Sequence, residues 1–270
     1  ARASARAAAH AQWRRRPEGT EPELAGIDRA GARRLVEAAL ARDPGGGWLP
    51  TGEATRLVAA YGVPVAPVTV VGGAEEAAAA ATRLGFPVAL KAEGRDLVHK
   101  SDVGGVHLAL MAPQEVAGAY RAMAARLGPR MSGAVVQPMV PPGPEVVVGV
   151  VHDPAFGPLV MFGLGGVTTD LLGDHAFRLL PLTDVDADEL LRSVRAAPLL
   201  FGYRGAPPVD VAALRDLLLR VARLADEVPE LAELDLNPVI AGRGGVAAVD
   251  VAARVVPVPP APDPYLRRLD

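Results

Sequence analysis

Hydrophobic residues follow two different periods along this chain. Between residues 29 and 61 they recur three and four positions apart, as at Leu35, Val36, Ala39 and Leu40, which is the spacing of a helix face. Beyond residue 64, short apolar runs alternate with such helical stretches, and glycines or prolines separate them. The pattern predicts helices at residues 1–16, 29–41, 51–61, 74–84, 113–127, 186–196 and 209–227. It predicts strands at residues 65–71, 88–91, 106–111, 134–139, 145–152, 159–163, 177–181, 234–241 and 246–251. This mixture is typical of an α+β or mixed α/β protein.

Composition limits the classes of function. The chain has 270 residues, half of them hydrophobic, which suits one large domain or two small ones with a substantial core. Its formal net charge is −3 and no basic stripe is interleaved with aromatic residues, so we expect no nucleic-acid partner. No apolar run approaches the roughly 20 residues needed to span a bilayer, so we expect no membrane insertion. The absence of cysteine excludes disulfides, thiolate catalysis and cysteine zinc sites, and suits a cytoplasmic protein.

A lysine, a histidine and a glycine pair stand close together in the middle of the chain. Lys91 ends an apolar run, His99 follows eight residues later on a polar stretch, and Gly104 and Gly105 come next. Lysine supplies a point charge, loop N–H groups can hold phosphate oxygens, and histidine can act as a nucleophile or a hydrogen-bond donor. The segment therefore indicates a phosphate site. The alternative is a strand–loop–strand hairpin on which His99 is merely solvated.

Further motifs follow in a fixed order. They are QPMV at 137–140, GPE at 143–145, DPAFGP at 153–158, GLGG at 163–166, RLLPL at 178–182 and LDLNP at 234–238. In order and spacing, residues 49–256 resemble the ATP-grasp domain of the NDP-forming acyl-CoA synthetases, relatives of the succinyl-CoA synthetase β subunit. The resemblance implies an ATP-grasp fold, in which two subdomains close on the nucleotide. We expect a helical and linker segment at 1–46, a small subdomain at 47–130, a large subdomain at 131–256 and a proline-rich tail at 257–270.

The resemblance also implies roles for residues that bind ATP or ADP. Lys91 would hold the phosphates, helped by the loop residues His99, Lys100, Ser101, Gly104 and Gly105. Gln137, Met139 and Val140 match the hinge between the subdomains, whose backbone contacts the adenine edge, and Glu145 falls where the family binds the ribose hydroxyls. The alternatives are that Lys91 extends to water at a strand end and that Glu145 is an ordinary exposed strand residue.

His99 is the candidate catalytic residue. In the ADP-forming branch of the family, a histidine of this loop relays a phosphoryl group from a histidine of the CoA-ligase domain to ADP, and His99 matches its position. The succinyl-CoA synthetase loop has no histidine there, so His99 favours the ADP-forming branch. His107, on the following strand, is interpreted as half-exposed and not catalytic.

Asn237 and Asp250 are the metal candidates, with Asp235 as a third, less certain ligand. Asn237 and Asp250 lie at the inward ends of a predicted hairpin, so their side chains can converge. Oxygen ligands of this kind, with phosphate oxygens completing the coordination shell, suit Mg²⁺. The alternatives are turn initiation at Asn237-Pro238 and a surface charge at Asp250. The roles of Asp170, Asp174 and Arg178 stay open, and the family commonly has glutamate where this chain has Asp170.

We therefore expect the nucleotide-binding and phosphoryl-relay part of an ADP-forming acyl-CoA synthetase. Its partners would be the CoA-binding and CoA-ligase domains, which this sequence lacks, so alone it should bind ATP or ADP with Mg²⁺ without making acyl-CoA. The first residue is not methionine, as in an internal piece of a longer chain. The main alternative is a regulatory module of a protein acetyltransferase. A carboxylate–amine ligase is disfavoured because its chemistry needs no loop histidine. The acyl substrate, the choice of ATP or GTP and the oligomeric state stay open.

Overall fold

The computed structural model describes residues 17–94, 103–153, 156–165 and 173–258, together with five positions before residue 17. Among the described residues, no helix has the length and apolarity needed to cross a membrane. Six α-helices lie in these ranges: α1 (Arg29–Arg42), α2 (Thr51–Ala60), α3 (Ala74–Leu84), α4 (Pro113–Leu127), α5 (Asp184–Ser193) and α6 (Val211–Glu227).

The strands form two antiparallel sheets. A four-stranded sheet has the order β2–β5–β3–β4, and a seven-stranded sheet has the order β1–β11–β9–β6–β7–β8, with β10 paired to β9. The strands are β1 (Gly47–Trp48), β2 (Thr69–Val71), β3 (Val88–Glu93), β4 (Val106–Leu110), β5 (Gly133–Pro138), β6 (Glu145–Asp153), β7 (Gly157–Leu164), β8 (His175–Leu179), β9 (Leu231–Gly242), β10 (Gly245–Ala248) and β11 (Val251–Val255).

Each sheet has its own hydrophobic core. Helices α3 and α4 cover the smaller sheet, and small side chains such as Ala77, Ala80 and Ala134 let the layers approach closely. The other four helices bury apolar residues in a larger core against the seven-stranded sheet. Helix α6 alone contributes eight buried residues to that contact. The predicted mixed α/β fold is therefore confirmed, and its strands form two separate sheets.

The sheets divide the chain at other positions than the predicted subdomain limits of 47–130 and 131–256. Strand β5 belongs to the small sheet, where it lies between β2 and β3. Strand β1 pairs with β11 of the large sheet, joining Gly47 to Val255, and α2 packs in the larger core. Helix α1, within the helical and linker segment expected at 1–46, also buries Ala32, Val36 and Ala39 in that core. The prediction followed chain order, whereas strand pairing across some 200 residues has no signature in local sequence.

The C-terminal hairpin also differs from its prediction. The predicted strand 246–251 is two strands, because β10 ends at Ala248 and β11 starts at Val251. Strand β10 pairs with the second half of β9, and β11 returns to pair with the first half, beginning at Val251 opposite Leu236. Val249 and Asp250 therefore form a corner between two strands. Val249 and Asp250 are both half-buried, so the buried positions change phase at this corner. No glycine or proline marks the corner in the sequence, which is why the pattern did not reveal it.

Candidate nucleotide and phosphoryl-transfer site

Lys91 lies on β3 of the small sheet and reaches the corner of the large sheet. Its side chain is 7% exposed, and Nζ donates a hydrogen bond to the Val249 carbonyl oxygen at 2.9 Å. The same nitrogen lies 3.9 Å from Asp250 Oδ2. A buried ammonium needs such partners, because burial without them is unfavourable. The side chain therefore does not extend freely to water, and it points into the junction between the two sheets.

The segment that contains His99 joins β3 to β4, and Lys91 of β3 pairs with Val106 of β4. His99, Lys100 and Ser101 lie outside the described residues. At the returning end, the Gly105 carbonyl accepts a hydrogen bond from the Ala92 amide at 2.7 Å. Gly104 has φ +71°, and a Cβ there would lie 2.7 Å from the Arg126 guanidinium. The positive φ favours glycine at 104, and the Gly105 hydrogen bond fixes the end of the loop next to Lys91.

The predicted hinge does connect the two sheets. Strand β5 ends at Pro138 in the small sheet and β6 begins at Glu145 in the large one, so residues 139–144 cross between them. Met139 is exposed and its amide donates to the Pro87 carbonyl, while Val140 is half-buried. Gln137 is 1% exposed, so its side chain is closed off from solvent. The proposed adenine contact therefore falls to the backbone of the hinge.

Glu145 is exposed at the start of β6, at the end of the sheet where the hinge enters. Its carbonyl oxygen accepts a hydrogen bond from the Gly165 amide at 2.7 Å. A Cβ at position 165 would lie 3.0 Å from the Glu145 Cβ, so the glycine run allows this close approach. The Glu145 carboxylate projects from this junction, and its ribose contact remains a prediction.

The three metal candidates meet around the β10–β11 corner. The main-chain N–H of Asn237 donates a hydrogen bond to the main-chain carbonyl oxygen of Asp250 at 3.2 Å. Asp235 lies two residues before Asn237 on β9. Burial, together with the negative charges of Asp250 and Glu233, raises the pKa of Asp235 to about 6. A cation bound between neighbouring carboxylates offsets their mutual repulsion and favours their ionised forms. The donor set of two carboxylates and an amide oxygen therefore fits Mg²⁺.

This set is incomplete by itself. Within the described ranges, no three His, Cys, Asp or Glu side chains are grouped so that they could hold a metal ion. Mg²⁺ usually keeps water or substrate phosphate oxygens in its coordination sphere and uses few protein ligands. The arrangement thus suits a metal that arrives with a nucleotide better than a permanently bound one.

Two residues whose roles the sequence left open have structural partners. Asp174 accepts hydrogen bonds from the amides of Arg195 and Ala196, at 2.7 and 2.9 Å, just beyond the end of α5. Arg178 on β8 lies 3.6 Å from the Glu189 carboxylate of α5. Both side chains attach the edge of the large sheet to its helix layer. Gly166 and Asp170 lie outside the described residues.

We expect Asp174→Asn to lower the free energy of unfolding by about 1–3 kcal/mol, since it removes the charge from two hydrogen bonds to backbone amides. Burial opposes ionisation of Asp174, but the two amides and the Arg195 guanidinium outweigh it and lower its pKa. Its contribution should therefore be complete above the unfolded pKa of about 3.9 and disappear as the pH falls below that value. Urea unfolding of both proteins between pH 3 and pH 7 measures this. Unchanged stability with impaired nucleotide binding would contradict the structural role.

Comparison with known proteins identifies the family. A sequence model of the ATP-grasp domain matches residues 40–255 of the chain. The chain belongs to the ATP-grasp family. It is 39% identical over 226 residues to the β subunit of ADP-forming acetate–CoA ligase I from Pyrococcus furiosus, a match that covers 82% of this chain and 96% of that subunit. The predicted relationship to ADP-forming acid–CoA ligases is therefore confirmed.

Two further relatives show how this ATP-grasp unit occurs elsewhere. ADP-forming acetate–CoA ligase I from Archaeoglobus fulgidus is 40% identical over 229 residues, which cover 83% of this chain but 33% of that protein. A structure of acetyl-coenzyme A synthetase 1 from Ca. Korarchaeum cryptofilum superposes with a TM-score of 0.73 at 40% identity, covering 84% of this chain and all of that one. It holds coenzyme A and Mg-AMPPCP, with a phosphohistidine segment pointing towards the nucleotide-binding site. The unit thus exists both as a separate subunit and within a longer chain.

Sequence reasoning missed two contacts of this ATP-grasp domain. One is the Val249 carbonyl oxygen, which receives Lys91. The other joins Glu93 to the start of α2, where the Thr51 hydroxyl and the Thr51 amide both donate to the Glu93 carboxylate. A carboxylate is favourable at a helix N-terminus. Glu93 lies two residues after Lys91 on the same strand face, and this spacing could have indicated from the sequence that Glu93 lies near the site. The main-chain carbonyl of an apolar residue such as Val249 leaves no such indication.

Proposed function

We propose that this chain binds ADP or ATP with Mg²⁺ between its two sheets and relays a phosphoryl group through His99. Together with CoA-binding and CoA-ligase domains, it would interconvert acyl-CoA, ADP and phosphate with carboxylate, CoA and ATP. The observation that carries the proposal is the buried Lys91 ammonium, which crosses from the small sheet to Val249 and Asp250 of the large one. The ADP-forming ligases among the relatives support the same reaction.

The relay divides the transfer into two displacements. In the direction of ATP formation, a nitrogen of His99 forms a bond to phosphorus as the bond to the partner's histidine breaks. A terminal oxygen of ADP then attacks the same phosphorus, and the His99 nitrogen leaves. Lys91 would hold the phosphate oxygens during the second step, because an ammonium at this position offsets their negative charge. The glycine pair at 104–105 fixes the end of the loop that carries His99.

Nucleotide and metal are assigned to the remaining residues. The hinge backbone at 139–140 would contact the adenine edge and Glu145 the ribose hydroxyls. Asp250 and Asn237, with Asp235 beside them, would hold Mg²⁺, which neutralises phosphate charge when bound. The K. cryptofilum structure with Mg-AMPPCP supports this choice of nucleotide and metal.

The partner is assigned by the kind of relative. The P. furiosus protein is a β subunit, and the A. fulgidus chain contains this unit as about one third of its length. We therefore place the CoA-binding and CoA-ligase domains on a partner subunit or on another part of the same polypeptide. The ligase names of these relatives favour a synthetase over the regulatory module of an acetyltransferase. Cytoplasmic localisation remains a prediction from the sequence, and the oligomeric state stays open.

Titration calorimetry with Mg²⁺–ATP tests the site. The parent chain should show one site whose affinity falls when Mg²⁺ is withheld. Asn237→Ala and Asp250→Ala should each weaken Mg²⁺–ATP binding by about tenfold, the scale of a lost bond to a charged group, and reduce the dependence on Mg²⁺. Glu75→Gln removes a carboxylate that is 84% exposed on α3 and serves as the control. If both corner variants bind Mg²⁺–ATP like the parent, the metal assignment is wrong.

A further inference from the structure

The Val249 carbonyl oxygen receives two side chains from the small sheet. Lys91 Nζ lies 2.9 Å from it and Gln137 Nε2 lies 3.0 Å from it. A carbonyl oxygen has two lone pairs, and these two donors use both. Val249 directly precedes Asp250, whose carboxylate is 3.9 Å from the same ammonium. The Gln137 side chain thus holds the acceptor that also determines where Lys91 lies.

The second N–H of the Gln137 amide is also used. Nε2 lies 3.3 Å from the Ala66 carbonyl oxygen, and the Ala66 amide donates to the Ala248 carbonyl at 2.9 Å. One side-chain nitrogen therefore joins the segment before β2 to the β10–β11 corner. Gln137 and Lys91 lie on the same face of the small sheet, because Gln137 pairs with Ala89 and Lys91 follows Ala89 by two residues.

The other atom of this amide shows what the position requires. Gln137 Oε1 is buried and has no hydrogen-bond partner among the described residues. A buried acceptor without a partner is unfavourable, so an apolar side chain would be preferred if filling space were the requirement. The two N–H donors are what glutamine supplies here. Because the side chain is closed off from solvent, it is badly placed to contact a nucleotide base directly.

We propose that Gln137 is a positioning residue that fixes the Val249 carbonyl and, through it, Lys91. This inference rests on the proposed function, in which Lys91 holds nucleotide phosphates. Gln137 contributes to the affinity for the phosphate–metal end of the nucleotide and not to the choice of base. Its effect passes through Lys91, so the two residues act as one unit.

A double-mutant cycle with Lys91→Ala and Gln137→Met tests this coupling. Methionine keeps the length of the side chain and removes both donors. We expect Gln137→Met to weaken binding of Mg²⁺–ADP about tenfold in calorimetry, and to weaken Mg²⁺–GDP by the same factor. In the double variant, binding should be no more than about twofold weaker than in Lys91→Ala alone.

Val136→Ala is the matched control, since Val136 is buried in the opposite core of the same strand. It should lower the melting temperature and leave the dissociation constants unchanged. Unchanged affinity in Gln137→Met, multiplied effects in the double variant, or a tenfold change in the ADP-to-GDP ratio would each overturn the inference. If Gln137→Met does not fold, Gln137→Leu also removes both N–H donors without adding a charge and gives the same comparison. If Lys91→Ala binds like the parent, the phosphate site itself is wrong; if only Gln137→Met does, the inference alone fails.

Discussion

Replacing His99 by alanine is expected to abolish ATP formation when the chain is combined with the proposed CoA-ligase partner and supplied with acyl-CoA, phosphate and ADP. The loss should be on the order of 10³-fold or more, because removal of a nucleophile eliminates the covalent route. Affinity for Mg²⁺–ADP should stay nearly intact, since Lys91, the hinge and the β10–β11 corner all remain. Coupled measurement of ATP and calorimetry of the same protein check both halves of this expectation.

A simpler experiment examines the covalent step in the isolated chain. Incubation with ATP labelled at the γ-phosphate should transfer label to the parent protein and release ADP, and His99→Ala should take up no label. His107→Ala is the matched control, because His107 lies on β4 just beyond the same loop and is half-buried. In the assay with the CoA-ligase partner, full turnover by His99→Ala would mean that the phosphoryl group passes directly to ADP and that His99 is a solvated loop residue.

Lys91→Ala is expected to weaken nucleotide binding by about 1.5–3 kcal/mol, or roughly ten- to 150-fold, the scale of a hydrogen bond to a charged group. The structure gives two reasons. The ammonium is buried between the sheets, where water screens it poorly, and its removal leaves the Asp250 carboxylate without its neighbouring cation. Calorimetry with ATP and ADP, each with Mg²⁺, measures the effect.

The sequence itself makes this substitution informative. Lys91 and Lys100 are the only lysines of the chain, whose other basic residues are arginines. A compact ammonium therefore stands where a phosphate is expected to bind. Lys91→Arg should bind nucleotide more tightly than Lys91→Ala but more weakly than the parent, because a planar guanidinium differs in shape from an ammonium. Arg83→Met removes an exposed cation at the end of α3 and controls for the loss of charge. Affinity unchanged in Lys91→Ala would remove Lys91 from the site.

The local elements were predictable wherever glycine or proline marks their ends. Helices α3 and α4 have the bounds that the sequence indicated, because Gly85 ends the first and Pro113 begins the second. Asp28 caps α1, accepting a hydrogen bond from the Gly31 amide. The strand 65–71 was predicted too long and is β2 at Thr69–Val71, since its first residues instead pair with the β10 end at Ala248. Burial pattern alone does not show which apolar residues gain a strand partner.

The motifs predicted the chemistry because residue type limits what a position can do. A lysine at the end of an apolar strand, a histidine after it, and carboxylates near Asn237 indicate a phosphate and metal site in any fold that brings them together. The sequence placed Gly104 in the expected phosphate loop, whereas its positive φ became apparent only in the structure.

Only the tertiary structure decided how these groups meet. It placed β5 beside β3 and folded the chain back at Val249–Asp250, so that a backbone carbonyl became the partner of Lys91 and Gln137. It also assigned Asp174 and Arg178 to helix attachment. The physical reason is that side-chain chemistry is a local property of sequence. The positions of main-chain acceptors depend on strand pairings between distant segments, and every residue before the last carries the same main-chain carbonyl.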